Sequence, residues 1–306
     1  MAQSNCHGCR LSRTYIPVRR LQYPATMRWT PGNRGNITDR RGGFGGAVPL
    51  GLGGMVVLLL LSWVTGTNFF ALLGTGDGQP GSTATSGTVQ STPEEERLVD
   101  FVDAVAGDVQ KTWSRVLGSR YEATTVVLFR DIVQSSCGTA QSASGPFYCP
   151  NDRKVYLDLG FFDDLKTRFG APGDFAQSYV IAHEFGHHVQ HLLGILSSRT
   201  GAASGPTSAS VAIELQADCF AGVWGHEASK QGQFQIGRVE LDPGDAEEAL
   251  GAAAAIGDDR LQRMGNGRVM PERFTHGTSA QRTAWFNRGM KSGDPRACDA
   301  SAATTH

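Results

Sequence analysis

The sequence predicts an α+β domain with a small β-sheet and helical bulk, preceded by one membrane-spanning helix. Three observations lead there: two short β-type runs lie between residues 124 and 159, four helix-period segments follow them, and a single apolar stretch without charge precedes them all. At 306 residues and 40% hydrophobic composition the chain can bury a substantial core.

Charge is unevenly placed along the chain. Residues 1–46 hold eight arginines, no lysine and one acid, Asp39, so they carry +7 of a net charge of -1. Rich in Arg, Gly and Pro and without hydrophobic periodicity, they read as a disordered basic arm. No charge occurs between Arg41 and Asp77, and Ala47–Val64 is an apolar run of 18 residues, about 27 Å long as a helix. A cleaved secretion signal is the alternative, but the leader is long and no small-x-small cleavage site follows. Residues 47–73 are therefore expected to be a retained anchor. Arginines before the span and almost no charge after it place the N-terminus in the cytoplasm and the rest outside the cell membrane. The glycines of 42–54 lack the strand a phosphate loop needs and fit close helix packing in lipid. The Asn36-Ile-Thr38 sequon falls on the cytoplasmic side and is expected to stay unmodified. Membrane orientation accounts for the basic arm, and nothing indicates a nucleic-acid partner.

Residues 74–93 read as a flexible polar tether, and residues 94–306 as the globular domain. Cys137, Cys149, Cys219 and Cys298 lie in the exported part, where disulfides persist. Cys137 and Cys149 bracket a Gly/Ser/Pro loop and are paired; by elimination Cys219 joins Cys298, although four cysteines permit three pairings. Cys6 and Cys9 have too few neighbouring ligands for a zinc knuckle.

Within the domain, Glu94–Leu117 carries a helical stripe from Leu98 to Val116 behind Thr92-Pro93 and an acidic first turn. Thr124–Arg130 and Lys154–Leu159 are the two β-type runs. Phe175–Leu196, Val211–Lys230, Ala246–Arg263 and Thr278–Met290 are helices, the last opened by a capping box at Thr278 and Gln281. Phe274, Trp285 and Phe286 are expected in the core.

The helix from Phe175 contains His183-Glu184-Phe185-Gly186-His187, a HExxH pattern. Residues i and i+4 share a helix face, about 6 Å apart, so both imidazoles can reach one ion. Glu184 can then take a proton from a metal-bound water. The surroundings, Tyr179–Ala182 and Val189–Leu193, are mostly apolar, and burying two histidines and a glutamate without a partner costs several kcal/mol. A solvated helix face is the competing reading. His191 lies about 12 Å along the axis from His183, too far to share an ion bound at roughly 2.1 Å. HExxHxxGxxH is excluded by Gln190 and Leu193. His188 and His191 are read as surface or supporting groups.

A catalytic site needs a third protein ligand. The next helix offers Glu214 and Asp218 in an apolar segment, Glu214 as ligand and Asp218 as the acceptor that fixes a ligand histidine's tautomer. Glu227 and the acids of 245–248 read as ordinary surface charge.

AHEFGHHVQHLLG, IELQADCFAGVW and FTHGTSAQRTAWFNRG, with MRWTPGNRGNITDRRGG near the start, resemble the neutral zinc metallopeptidase family of bacteria. The likeness runs from Met27 nearly to the end, and residues 1–26 fall outside it, which suggests an upstream start assignment. The resemblance implies a membrane-anchored, zincin-like fold of gluzincin type. It implies Zn2+ held by His183, His187 and Glu214, Glu184 as general base, Asp218 as supporting acid, and a peptide or protein substrate. His276, before the last helix, is the first choice for an oxyanion donor, with His226 and Tyr179 behind it. The rivals are a zinc-stabilised binding module and a non-peptidase zinc amide hydrolase; retention of Glu184 argues against the first.

Overall fold

Helix α1 (Pro93–Leu117) begins where its first turn is best satisfied. Thr92 Oγ1 accepts from Glu95 N at 3.2 Å, proline occupies the first position, and Glu94, Glu95 and Glu96 face the positive helix end. In this computed structural model the described residues are 27–42, 90–142, 145–198, 203–230, 238–242 and 244–300. The apolar run 47–64 and the tether to residue 89 lie outside them, as do residues 1–26. Among the described residues no helix is long and apolar enough to cross a membrane.

The main sheet has the order β2 (Ile37–Asp39), β3 (Val126–Phe129), β7 (Lys154–Asp158), β6 (Phe147–Cys149). The first three strands are parallel and β6 is an antiparallel edge. All four β3 residues are buried, as for a parallel strand covered on both faces. The segment between the paired cysteines, expected as a loop, contains strand β5 (Gly138–Gln141), which forms a hairpin with β4 (Ile132–Ser135) just ahead of Cys137.

The expectation of a disordered arm over residues 1–46 does not hold for 27–42. Strand β1 (Arg28–Trp29) pairs with β8 (Val239–Glu240), and β2 adds to the main sheet. Asp103 explains why. Its buried carboxylate accepts from Arg34 N (2.8 Å), Asn36 N (3.0 Å) and Asn36 Nδ2 (2.9 Å). Gln110 Nε2 donates to Asn36 Oδ1 at 2.7 Å, so the sequon side chain is committed to internal bonds. Three of the eight arginines that suggested an exposed arm are paired: Arg28 with Glu240, Arg34 with Asp100, and buried Arg41 with Asp39, Glu95 and Glu96.

The helices follow: α2 (Gly160–Thr167), α3 (Asp174–Leu192), the short α4 (Ile195–Ser198), α5 (Ala209–Ala228), α6 (Asp245–Ala255), α7 (Asp258–Asn266) and α8 (Ser279–Ser292). Helix α3 is central, packing on α1, α5, α6 and strands β6 and β7. The single helix expected over 246–263 is two. Gly257 breaks it: a Cβ there would lie 2.3 Å from Ser279 N, so the chain turns where it meets the start of α8. The capping box at Thr278 is present, and Phe274, Trp285 and Phe286 are buried. Cys137–Cys149 and Cys219–Cys298 are both bonded, the second closing a sequence separation of 79 residues.

Asp103→Ala leaves three donors of the 27–42 segment without their acceptor, a cost on the order of 2–4 kcal/mol. The denaturant midpoint should fall by that amount divided by the unchanged slope; an unmoved midpoint would show that these bonds contribute nothing to stability.

Candidate metal centre

Helix α3 is fixed at its start by an acid of α6. Glu248 Oε2 accepts from Phe175 N at 3.1 Å, and burial raises its pKa to about 6. Asp245 is fully buried and accepts from Asp242 N at 2.7 Å. These two acids, read as ordinary surface charge from the sequence, are structural.

About two turns further along α3, His183 and His187 project from one face with ring centroids 4.8 Å apart and planes 87° to each other. Helix α5 comes close enough to oppose them because position 186 is glycine. A Cβ there would stand 2.9 Å from Ala217 O and 3.0 Å from Ala217 Cα, so a larger residue would push the helices apart. Across that contact, Glu214 Oε2 is 3.1 Å from His183 Nε2 and Glu214 Oε1 is 3.5 Å from His187 Nε2. One donor atom from each of the three residues lies within 4.8 Å of the others, a group that could hold a metal ion.

The far side of each imidazole is held by protein. His183 Nδ1 is 2.8 Å from Asp218 Oδ1. His187 Nδ1 is 2.9 Å from Gln190 Oε1, and the amide cannot be reversed, because Gln190 Nε2 donates to Ile213 O at 2.7 Å. Both Nδ1 atoms therefore carry hydrogen, which leaves each Nε2 lone pair facing Glu214 once the ring is neutral. This donor set, two imidazole nitrogens and a carboxylate, suits zinc.

Asp218 has no exposed surface. It accepts from Tyr179 Oη at 2.6 Å and from Arg282 Nε and Nη2, both at 2.9 Å. Burial opposes its ionisation, yet Arg282 and His183 hold its pKa below the usual carboxylate range. Glu214 is likewise held well below that range by the two histidines despite burial. Burial pulls His183 down, but Asp218 and Glu214 outweigh it and raise its pKa to about 10; His187 is raised too, chiefly by Glu214 against burial.

Glu184 and His276 line the same cavity of about 560 Å³ as His183, His187 and Glu214. His276 is half exposed, with Nδ1 3.3 Å from Asp258 Oδ1, and that hydrogen bond raises its pKa. Asp258 Oδ2 meanwhile accepts the backbone N–H of Thr275 (2.7 Å), His276 (2.7 Å) and Gly277 (3.0 Å), which fixes the turn. The other candidate donors are elsewhere engaged. Tyr179 donates to Asp218, and His226 Nδ1 bonds Met290 O at 2.9 Å. His188 is fully buried, not a surface group: Nε2 donates to Glu122 O at 2.7 Å and Nδ1 accepts from Tyr148 Oη at 3.0 Å.

Sequence reasoning missed Arg282, Gln190 and Asp258. The first two had a signal. Arg282 stands three and four residues before Trp285 and Phe286, on the face of α8 that enters the core, and Gln190 stands three after His187. An arginine in a core stripe implies a buried acid.

The family model described as "Putative neutral zinc metallopeptidase" matches residues 27–301. The chain is 46% identical over 291 residues to "Uncharacterized protein YpfJ" of Escherichia coli K12, covering 89% of this chain and 98% of that protein. It is 46% identical over 206 residues to "Uncharacterized protein Rv2575" of Mycobacterium tuberculosis, covering 66% and 70%. No solved structure matches.

Asp218 and Glu214 raise the pKa of His183 and so favour its protonated form, and that proton must leave before an ion binds through Nε2. Zinc affinity of the ion-free chain should therefore rise with pH across the neutral range. Calorimetry in buffers of different ionisation enthalpy should find about one proton or more released per zinc. Release of none would place the ion elsewhere.

Proposed function

The chain belongs to the neutral zinc metallopeptidase family just described, and from that premise we propose that it hydrolyses internal peptide bonds of unfolded proteins. The observation that supports this most is the convergence of His183, His187 and Glu214, with Glu184 lining the same cavity. A purely structural ion has no use for a free carboxylate beside it, and normally closes its fourth position with a protein ligand.

Zinc, when bound, supplies a Lewis acid that brings the pKa of a water from about 15.7 toward about 7. The protein's own groups do the rest. Glu184 accepts the proton of the attacking water and delivers it to the leaving amide nitrogen. His276 donates from Nε2 to the developing oxyanion, its Nδ1 held by Asp258 and its raised pKa keeping the ring a good donor. Asp218 and Gln190 hold the two imidazoles still through the cycle. The apolar wall of the cavity, including Phe161, Phe169 and Val180, offers a surface for a substrate side chain and excludes water.

The test uses the full-length chain on a casein-like substrate, followed by product sizes and zinc content. Glu184→Gln should abolish hydrolysis while retaining about one zinc per chain. His276→Ala should lower kcat by about 10²–10³ with zinc also retained. Chelation should remove activity and zinc restore it. A fully active Glu184→Gln variant would remove the mechanism; loss of zinc in that variant would mean that Glu184 is a ligand.

A further inference from the structure

Two aliphatic side chains line the cavity beside the metal group without belonging to a hydrophobic core. Phe161, Phe169 and Ile256 also line it, but each packs against the main core, whereas Ile213 and Leu261, both half-buried, join no core cluster among the described residues. Ile213 has another task, since it precedes Glu214 and its carbonyl accepts from Gln190 Nε2 at 2.7 Å. Leu261, on α7, is left to the cavity. The wall around it is fixed. Arg260 Nη2 donates to Phe169 O at 2.9 Å, which ties α7 to the connection between α2 and α3, and the rings of Phe161 and Phe169 lie 6.3 Å apart.

Apart from Glu184, every charged group lining this cavity is already met. Arg282 is buried, with Nε and Nη2 on Asp218, Nη2 also on Tyr179 Oη at 3.1 Å and Nη1 on Ile256 O at 3.3 Å. Glu214 faces the two imidazoles, and Asp258 holds His276. The Tyr148 hydroxyl, the remaining polar group of the wall, is bonded to His188 and His191. A charged side chain entering beside Leu261 would give up its water without gaining a partner. An apolar one gains by leaving water.

We propose that the wall formed by Phe161, Phe169 and Leu261 receives a bulky apolar side chain of the substrate, and that Leu261 sets this preference. The proposal rests on the peptidase reading for the nature of the substrate, and it deepens that reading by naming the side chain that the site selects.

The test uses the zinc-loaded, full-length chain and hydroxamate probes that differ only in their side chain: isobutyl, carboxymethyl and aminobutyl. Calorimetry should find the isobutyl probe bound at least about tenfold more tightly than either charged probe. Leu261→Ala should reduce that ratio, and Leu261→Glu should turn it in favour of the aminobutyl probe, each with about one zinc per chain retained. Equal affinity for the three probes, or an unchanged ratio in both variants, would overturn the proposal. The ends of the products from a casein-like substrate supply a second readout. Leucine, isoleucine and phenylalanine should be enriched at one fixed position beside the cut; an even distribution at every flanking position would equally overturn it. Selective binding of the isobutyl probe without any cleavage would uphold the pocket and remove the peptidase reading alone.

Discussion

The site depends on one carboxylate that sees no water. Asp218 lies fully buried between two ligand-bearing helices, a position that costs several kcal/mol unless the charge is met from every side. Arg282 meets it with two hydrogen bonds, Tyr179 with one and His183 with another. That arrangement orients the first imidazole whether or not an ion is present. It is available only because α8 reaches α5. At Gly289 a Cβ would stand 1.9 Å from Cys219 O, and at Gly222 one would stand 2.1 Å from Phe286 O, so the two helices touch backbone to backbone. The Cys219–Cys298 disulfide then ties the residue after Asp218 to the segment following α8.

The remaining polar groups are divided among separate tasks. Gln190 holds the second imidazole and is itself held by Ile213 O and Gln216, while Gln216 donates to Cys298 O at 2.9 Å. A different chain of bonds fastens the edge strand β6 to α3. His188 Nε2 donates to Glu122 O, so its Nδ1 must accept from Tyr148 Oη, and that hydroxyl in turn accepts from His191 Nδ1 at 2.9 Å. Two of the four histidines in the motif region thus fix the position of the strand beside the cavity. Burial pushes the Tyr148 hydroxyl well above its ordinary pKa, so the link stays protonated.

Much of this was legible in the sequence where a local rule decides the outcome. The i, i+4 spacing of His183 and His187, the capping box at Thr278 and the helical stripe of α1 each follow from 3.6-residue periodicity, and the structure contains them. The early-strand, late-helix order gave the α+β class. What was not legible depends on contacts distant in sequence. Residues 27–42 have a polar, glycine-rich composition that suggests disorder, and it takes Asp103, β3 and β8, all more than sixty residues away, to make strands of them. Gly257 breaks a helix because of where α8 begins. Asp245 and Glu248 look exposed until α3 is placed above them. The hydropathy of 47–64 is a local signal that falls outside the described residues, whereas the bonds of Arg130 to Arg41 O and Gln90 O join positions that no local window contains.

Three side chains from α3 and α5 converge where they could hold a single ion. X-ray absorption at the zinc edge of the metal-loaded, full-length chain reports that arrangement directly. The predicted spectrum has a nitrogen/oxygen shell at about 2.0–2.1 Å with the outer scattering of two imidazoles. A sulfur shell near 2.3 Å, or scattering from fewer or more than two imidazoles, would contradict it.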